Sequence, residues 1–327
     1  MMVPLLLTLL LSALACGLYL RLARRLQLLD RPNDRSSHRQ PTPHGGGVPL
    51  LLSCALGMLL CRIWSGPWPD VYPVFMLAAL LLMLVGVRDD LRGLSVGMRM
   101  SAYTLLSLVM AVYLLSPLWS GGLLIIGGIM GAIVLLWSLN LYNFMDGIDG
   151  IAAIQCILAC GSAALLSWGS GAAPDYPLFC LLLAASHLGF LVWNWPPARL
   201  FMGDAGSVPT GFLLAALAIL GGVQGQLDPL CWLILLAAFV TDATWTLLWR
   251  MFSGQRFLQP HRLHAYQRVS RYWGSHLPVD LGLVALNAVW LFPLAWCAQV
   301  WPDVGFLLVI LAYLPLLVGM AKIRGLA

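Results

Sequence analysis

Apolar residues in this chain come in runs of about 17 to 22, broken by clusters of Gly, Pro and charge, a pattern that predicts helices rather than strands. A helix needs roughly 20 such residues to cross ~30 Å of hydrocarbon. The runs at 3–20, 48–64, 71–87, 100–118, 121–139, 151–168, 176–194, 207–222, 229–249, 278–299 and 303–321 therefore read as eleven membrane spans. Breaks such as Ser65-Gly66-Pro67 and Ala173-Pro174-Asp175 carry the turn residues expected between spans. The first run has its arginines after the apolar core and no small-residue cleavage site behind it, so it reads as a retained span. Composition agrees: 61% of residues are hydrophobic and 9% charged. The expected fold is an all-α, polytopic membrane protein forming one domain over 1–327, with no internal repeat.

Charge then orients the spans. Seventeen of the eighteen cations fall in alternate loops and the tail, leaving Arg62 alone on the other side. Basic loops stay in the cytoplasm, so the N-terminus is expected outside, the C-terminus inside, and the loops 21–47, 88–99, 140–150, 195–207 and 250–277 on the cytoplasmic face. The net charge of +5 thus points to anionic lipid and phosphorylated substrates rather than nucleic acid. Eight cysteines lie in or beside spans without a C-x-x-C pair, as small buried hydrophobes do.

All thirteen acidic residues are aspartates, and carboxylates beside a bilayer are costly unless they meet water, a metal or a partner charge. Asp89 and Asp90, between Arg88 and Arg92, end the third span; they suit a metal and a second ligand, or a solvated cap. Asn143, Asp146 and Asp149 recur every three residues and, if helical, share a face, with Gly147 and Gly150 admitting a ligand to the backbone. Asp204 opens the eighth span between glycines; it suits Mg²⁺, which prefers oxygen ligands and shares them with phosphates, or a helix cap. His261 and His264, among Arg256, Arg262, Arg268 and Arg271, suit a diphosphate better than zinc, which lacks further ligands nearby. The first loop ends in Gly45-Gly46-Gly47, a turn of the kind that cradles phosphate.

Five ordered segments carry a resemblance: Pro41-Thr42-Pro43-His44-Gly45-Gly46-Gly47, Asp89-Asp90, Asn143-Phe144-Met145-Asp146-Gly147-Ile148-Asp149-Gly150, Phe201-Met202-Gly203-Asp204-Ala205-Gly206-Ser207, and His261 with His264. Together they resemble the polyprenyl-phosphate N-acetylhexosamine-1-phosphate transferases (glycosyltransferase family 4) over about residues 28 to 275. The resemblance implies transfer of N-acetylhexosamine 1-phosphate from a UDP-sugar to undecaprenyl phosphate with release of UMP. It also implies a Mg²⁺-dependent site, with Mn²⁺ as an alternative ion, facing the cytoplasm from the bacterial inner membrane. Within it, Asp89 looks like the carboxylate that activates the lipid phosphate, with Asp90 beside it, and Asp204 like the metal ligand. Asn143, Asp146 and Asp149 look like the nucleotide side of the pocket, Phe201 like a wall for the uracil, and His261 and His264 like catalytic contacts to the diphosphate or sugar, with Arg262 and Arg268 binding substrate.

Two departures stand out. Where many members carry a lysine before the first-loop histidine, this chain has Ser36-Ser37-His38, which passes any such contact to Arg35 or Arg39 and leaves His38 and Arg35 as substrate-binding candidates. The His-Arg-Leu-His order looks more like the branch that initiates O-antigen and other surface glycans than the muramoyl-pentapeptide branch. Membrane lipid is the expected surrounding, and a homodimer is admitted as a partner. The rival reading is a transporter of a sugar or ion, for which His187 and Asp242, inside spans, are the candidate ionisable groups.

Overall fold

A computed structural model of the chain describes residues 2–32, 40–169, 171, 173–255 and 261–323, so Arg35, His38 and Arg39 lie outside the described residues. Helix α1 (Met2–Arg25) leads into a two-stranded antiparallel pair, β1 (Leu29–Asp30) and β2 (Thr42–Pro43), which closes the first loop. Helices α2 (Gly47–Ser65), α3 (Val71–Arg92), α4 (Val96–Leu115), α5 (Gly121–Met145), α6 (Ile151–Gly169), α7 (Asp175–Asn194) and α8 (Asp204–Val223) follow. The remainder comprises α9 (Pro229–Leu235), α10 (Ala237–Phe252), α11 (Ala265–Trp273), α12 (Leu277–Leu286), α13 (Phe292–Val300) and α14 (Gly305–Ile323). Among the described residues ten helices are long and apolar enough to cross a membrane, and counting the bent pair α9 and α10 as one span gives the eleven expected from sequence. The protein is an all-α, multi-pass membrane protein.

Helices α6, α7 and α8 form the enclosed centre, and α8 buries most of its length. Their small residues explain the close packing. Gly189 on α7 lies against the backbone of Leu9 and Ala13 in α1, and Gly211 on α8 against Ser138 and Leu139 in α5. With lipid tails as apolar as leucine, such van der Waals contact and buried hydrogen bonds hold helices together. His187 fits this account, meeting the Leu183 carbonyl at 2.8 Å and Thr210 Oγ1 at 3.1 Å. All eight cysteines are free and seven are buried.

Two spans depart from straight helices. Between α9 and α10 the chain turns by 72° at Leu236, and the carbonyls this frees find partners: Gln155 Nε2 donates to Leu235 at 3.0 Å and Tyr313 Oη to Leu233 at 3.0 Å. A break at membrane depth is tolerated only when its backbone groups are satisfied in this way. The tenth span carries a π turn at Asn287–Leu291, just before Pro293, whose missing N–H cannot continue the α ladder.

Candidate active site

The described residues of the loops 21–47, 88–99, 140–150, 195–207 and 250–277 meet at one end of the bundle. Their joints are backbone hydrogen bonds and glycine contacts. Gly46 N–H donates to the Phe201 carbonyl and Gly47 N–H to the Met202 carbonyl, both at 2.9 Å, and Phe201 N–H returns a bond to Pro43 at 2.8 Å. The glycine triplet therefore does not offer these amides to a phosphate; it lets the start of α2 touch the start of α8. A Cβ on Gly47 would sit 2.2 Å from the Gly206 backbone, and one on Gly86 2.5 Å from Ala205 N. Gly203, at φ 72°, turns the chain into α8 in a region glycine adopts freely.

This packing brings the ends of α3, α4, α5 and α8 together. Asp89 accepts from Leu94 N–H at 2.6 Å and from Arg99 Nη1 at 2.7 Å. The same Arg99 nitrogen stands 3.6 Å from Asp204 Oδ2. Asp204 Oδ1 takes the Asn143 amide at 2.7 Å, and Asn143 Nδ2 also reaches Ser207 Oγ at 2.9 Å. Asp90, expected among the catalytic groups, turns both oxygens to backbone: Oδ1 meets Asp204 N–H at 3.2 Å and Oδ2 meets Ala205 N–H at 3.3 Å. It braces the helix start that presents Asp204, as a carboxylate at a helix N-terminus does.

The expected common face of Asn143, Asp146 and Asp149 does not form, because α5 ends at Met145 and α6 begins at Ile151. The three residues instead go separate ways. Asn143 serves Asp204. Asp146 accepts no hydrogen bond from any described residue, and burial, with the charges of Asp204, Asp90 and Asp149, holds its carboxyl well above the ordinary carboxylate range. Asp149 is a tether: its carboxylate accepts from Ala198 N–H at 2.9 Å and its backbone N–H donates to His276 Nδ1 at 3.2 Å, so that it ties the α5–α6 turn to the 195–203 loop and to the start of α12.

His261 and His264 precede α11 rather than sharing its face, and their rings stack at 4.8 Å. Asp242, on α10, organises them: it accepts from His264 Nδ1 at 3.1 Å, Thr246 Oγ1 at 3.1 Å, Ala265 N–H at 2.9 Å and Tyr266 N–H at 3.0 Å. Tyr266 Oη in turn donates to the Phe144 carbonyl at 2.9 Å, which couples this loop to the Asn143–Gly150 turn. Burial, then His264 and Arg250, depress the His261 pKa to about 4. Arg268 Nε donates to Leu263 O and Arg271 Nη2 to Arg262 O, both at 3.1 Å, and the Arg262 side chain is exposed. His44 is half-buried within the electrostatic reach of Asp204, and desolvation lowers its pKa.

The residues sequence reasoning missed are Arg99, His276 and the bracing role of Asp242. Arg99 stands ten positions from Asp89 and counts in sequence only as one more topological cation. Nothing local marks it as a partner.

Among the described residues no three His, Cys or Asp side chains stand close enough to hold a metal by themselves. A Mg²⁺ ion needs fewer: it uses one or two carboxylates and completes its shell with substrate phosphate and water. Asp204, whose carboxyl meets Asn143, Arg99 and Asp89, and the Asp146 carboxyl, which no described donor meets, supply the hard oxygens such an ion takes, so the donor set fits it.

Residues 72–222 match the family described as Glycosyl transferase family 4, a stretch that holds Asp89, Asn143 and Asp204. Over 259 residues the chain is 34% identical to the phospho-N-acetylmuramoyl-pentapeptide-transferase of Synechococcus sp. (strain JA-3-3Ab), covering 71% of each chain. Over 323 residues it is 29% identical to the decaprenyl-phosphate N-acetylglucosaminephosphotransferase of Mycobacterium leprae (strain TN), covering 84% of this chain and 79% of the relative. Over 270 residues it is 26% identical to a probable undecaprenyl-phosphate N-acetylglucosaminyl 1-phosphate transferase of Bacillus subtilis (strain 168), covering 78% and 73%. With its aspartates gathered at one end of a multi-pass helical bundle, the chain belongs to glycosyl transferase family 4, the polyprenyl-phosphate N-acetylhexosamine-1-phosphate transferases.

Proposed function

We propose that this protein transfers N-acetylhexosamine 1-phosphate from a UDP-sugar to undecaprenyl phosphate on the cytoplasmic side of the inner membrane. The observation that carries the reading is the convergence of Asp89, Asp204 and Asn143 around Arg99 at the end of α5, beside an apolar cavity. That cavity, about 580 Å³, is lined by Val134, Trp137, Leu141, Tyr142, Trp232 and Phe239 among others, and a neighbouring one of about 340 Å³ continues it along α5 past Met130 to Leu123. An apolar cavity that reaches Tyr142, the residue before Asn143, suits the long prenyl chain of a lipid ending in phosphate.

In the reaction an oxygen of the lipid phosphate attacks the sugar-bearing phosphorus of the donor diphosphate. The bond to the uridine-side phosphate breaks and UMP leaves with its electrons. Such transfers depend on positioning and charge neutralisation more than on covalent chemistry by the protein. Asp89, fixed by Leu94 N–H and Arg99, faces the acceptor phosphate. Because both its oxygens are held by protein donors, direct displacement is favoured over an aspartyl-phosphate intermediate. Asp204 and Asp146 would hold Mg²⁺, which when bound supplies positive charge to the phosphate oxygens. Asn143 fixes Asp204, Asp90 fixes the backbone beneath it, and the His261–His264 pair, positioned by Asp242, closes the far side.

Seventeen cations on one side support the cytoplasmic placement of these loops, with the N-terminus outside. Of the three relatives, the two of wider coverage name N-acetylglucosamine and one names a muramoyl-pentapeptide, which supports N-acetylglucosamine as the donor sugar. Entry into O-antigen or another surface glycan is the role we infer. A transporter is not favoured, since His187 and Asp242 are both engaged within the fold.

Purified protein given UDP-N-acetylglucosamine, undecaprenyl phosphate and Mg²⁺ is expected to release UMP, with a lipid product of matching mass. A panel of other UDP-N-acetylhexosamines fixes the donor. Absence of UMP from every donor refutes the reading, and undiminished turnover after chelation refutes the metal assignment.

A further inference from the structure

The site described above leaves a polar feature of α4 unused. Along α4, Arg99, Tyr103 and Ser107 stand at i, i+4 and i+8 and so share one face. Arg99 meets Asp89 and Asp204, but the two hydroxyls below it are idle: Tyr103 is 3% exposed and Ser107 0%, and neither side-chain oxygen has a hydrogen-bond partner. The opposite face is ordinary lipid-facing surface, with Leu105 and Val109 exposed. A buried hydroxyl without a partner is a standing cost to a fold, because it has given up water and received nothing. Phenylalanine would fill the same space without it.

Geometry says where the Tyr103 hydroxyl looks. Helix α4 starts at the site and runs away from it, and side chains on a helix lean toward its N-terminus. Tyr103 therefore leans back toward Arg99 and the carboxylates, and it lies in the field of Asp204, Arg99, Asp89 and Asp90 without bonding to any. Its Cα is about 6 Å deeper in the bundle than that of Arg99. This is the side from which a headgroup anchored in the bilayer arrives, whereas a water-soluble nucleotide sugar arrives from the loops.

We propose that Tyr103 donates its hydroxyl proton in a hydrogen bond to a phosphate oxygen of the lipid acceptor, and is a further substrate-binding residue of the site. The assignment rests on the transferase reading given above. Ser107, another ~6 Å deeper, is out of reach of the same phosphate.

The test uses the full chain in detergent, with farnesyl phosphate as probe and farnesol as its phosphate-free control, read by thermal shift and by calorimetric titration. Tyr103→Phe is expected to melt at or above the wild-type temperature without ligand, because it removes only an unpaired hydroxyl. Its affinity for farnesyl phosphate should fall about tenfold, the loss of one hydrogen bond to a charged group. Binding of farnesol and of the UDP-sugar should stay unchanged, and Ser107→Ala should bind farnesyl phosphate as the wild type does. Wild-type affinity in Tyr103→Phe overturns the proposal. So does a lowered melting temperature, which would mean a structural bond, or an equal loss for farnesol, which would mean packing. Loss of UDP-sugar affinity instead would move the hydroxyl to the donor diphosphate and likewise overturn it. These measurements need no turnover: a chain that releases no UMP refutes the transferase reading, while weaker farnesyl phosphate binding by Tyr103→Phe supports the Tyr103 assignment even then.

Discussion

Asp89 and Asp90 are adjacent and chemically identical, yet the structure gives them different work, and Asp90→Asn tests the difference. Asp90 holds two backbone N–H groups of the first turn of α8, Asp204 at 3.2 Å and Ala205 at 3.3 Å. Losing a helix N-terminal acceptor costs about 0.5–2 kcal/mol, and losing a negative charge there another 0.3–1 kcal/mol. An asparagine keeps one acceptor oxygen and turns its NH₂ toward the other N–H, while the repulsion from Asp89 is relieved. The net cost is about 1 kcal/mol. Concentrated in the turn that carries Asp204, this multiplies the open population about fivefold. Mg²⁺ half-saturation should therefore rise by about the same factor, with a single-turnover rate that recovers at high Mg²⁺ and a modestly lower melting temperature. Asp89→Asn should lose rate at every Mg²⁺ concentration, because its carboxylate faces the reacting phosphate. The assay is single-turnover UMP release at saturating donor across a Mg²⁺ titration. Equal rate losses with the same Mg²⁺ dependence, or a wild-type melt and Mg²⁺ response in Asp90→Asn, would refute the division.

Gly47→Ala places a Cβ 2.2 Å from the Gly206 backbone; with backbone on both sides nothing flexible can yield, so a cost of roughly 1–3 kcal/mol and loss of UMP release are expected, and a wild-type melt would be evidence against this contact. Asp242→Asn strips a buried carboxylate of part of its four-donor shell; a loss of roughly 2–3 kcal/mol is expected by chemical denaturation, and it should be accompanied by faster proteolysis in the 261–273 segment. His261 has a folded-state pKa of about 4, below its unfolded value, so the native state binds fewer protons; stability is full above pH ~6.5 and falls as pH drops toward 4. His261→Gln should flatten that acid limb in a melting series from pH 7 to pH 4, and an unchanged slope would contradict the burial of this ring.

The sequence by itself determined the helical class and the number of apolar crossings, and it pointed to the loops that carry the aspartates. Each of these depends on something local: the length of an apolar run, the side on which arginines collect, the density of aspartate at span ends. It also brought Asp89, Asn143 and Asp204 into view, since a carboxylate beside hydrocarbon demands a reason wherever it occurs. The assignment of partners was not local. Asn143, Asp146 and Asp149 look like one helical face in sequence, but the chain leaves α5 at Met145 and re-enters a helix at Ile151, so their period of three is interrupted by a turn. Asp89 and Asp90 differ only because α8 begins beside one of them. Arg99 becomes the counter-charge of Asp89 and Asp204 through the packing of α3, α4 and α8, and Asp242, a transport candidate in the rival reading, caps a helix 23 residues downstream at Ala265. The glycine triplet has the composition of a phosphate cradle, and only the approach of α2 to α8 shows that the amides of Gly46 and Gly47 are already bonded to Phe201 and Met202. Periodicity and hydropathy are properties of neighbours along the chain, whereas hydrogen-bond partners are chosen by the packing of helices far apart in sequence.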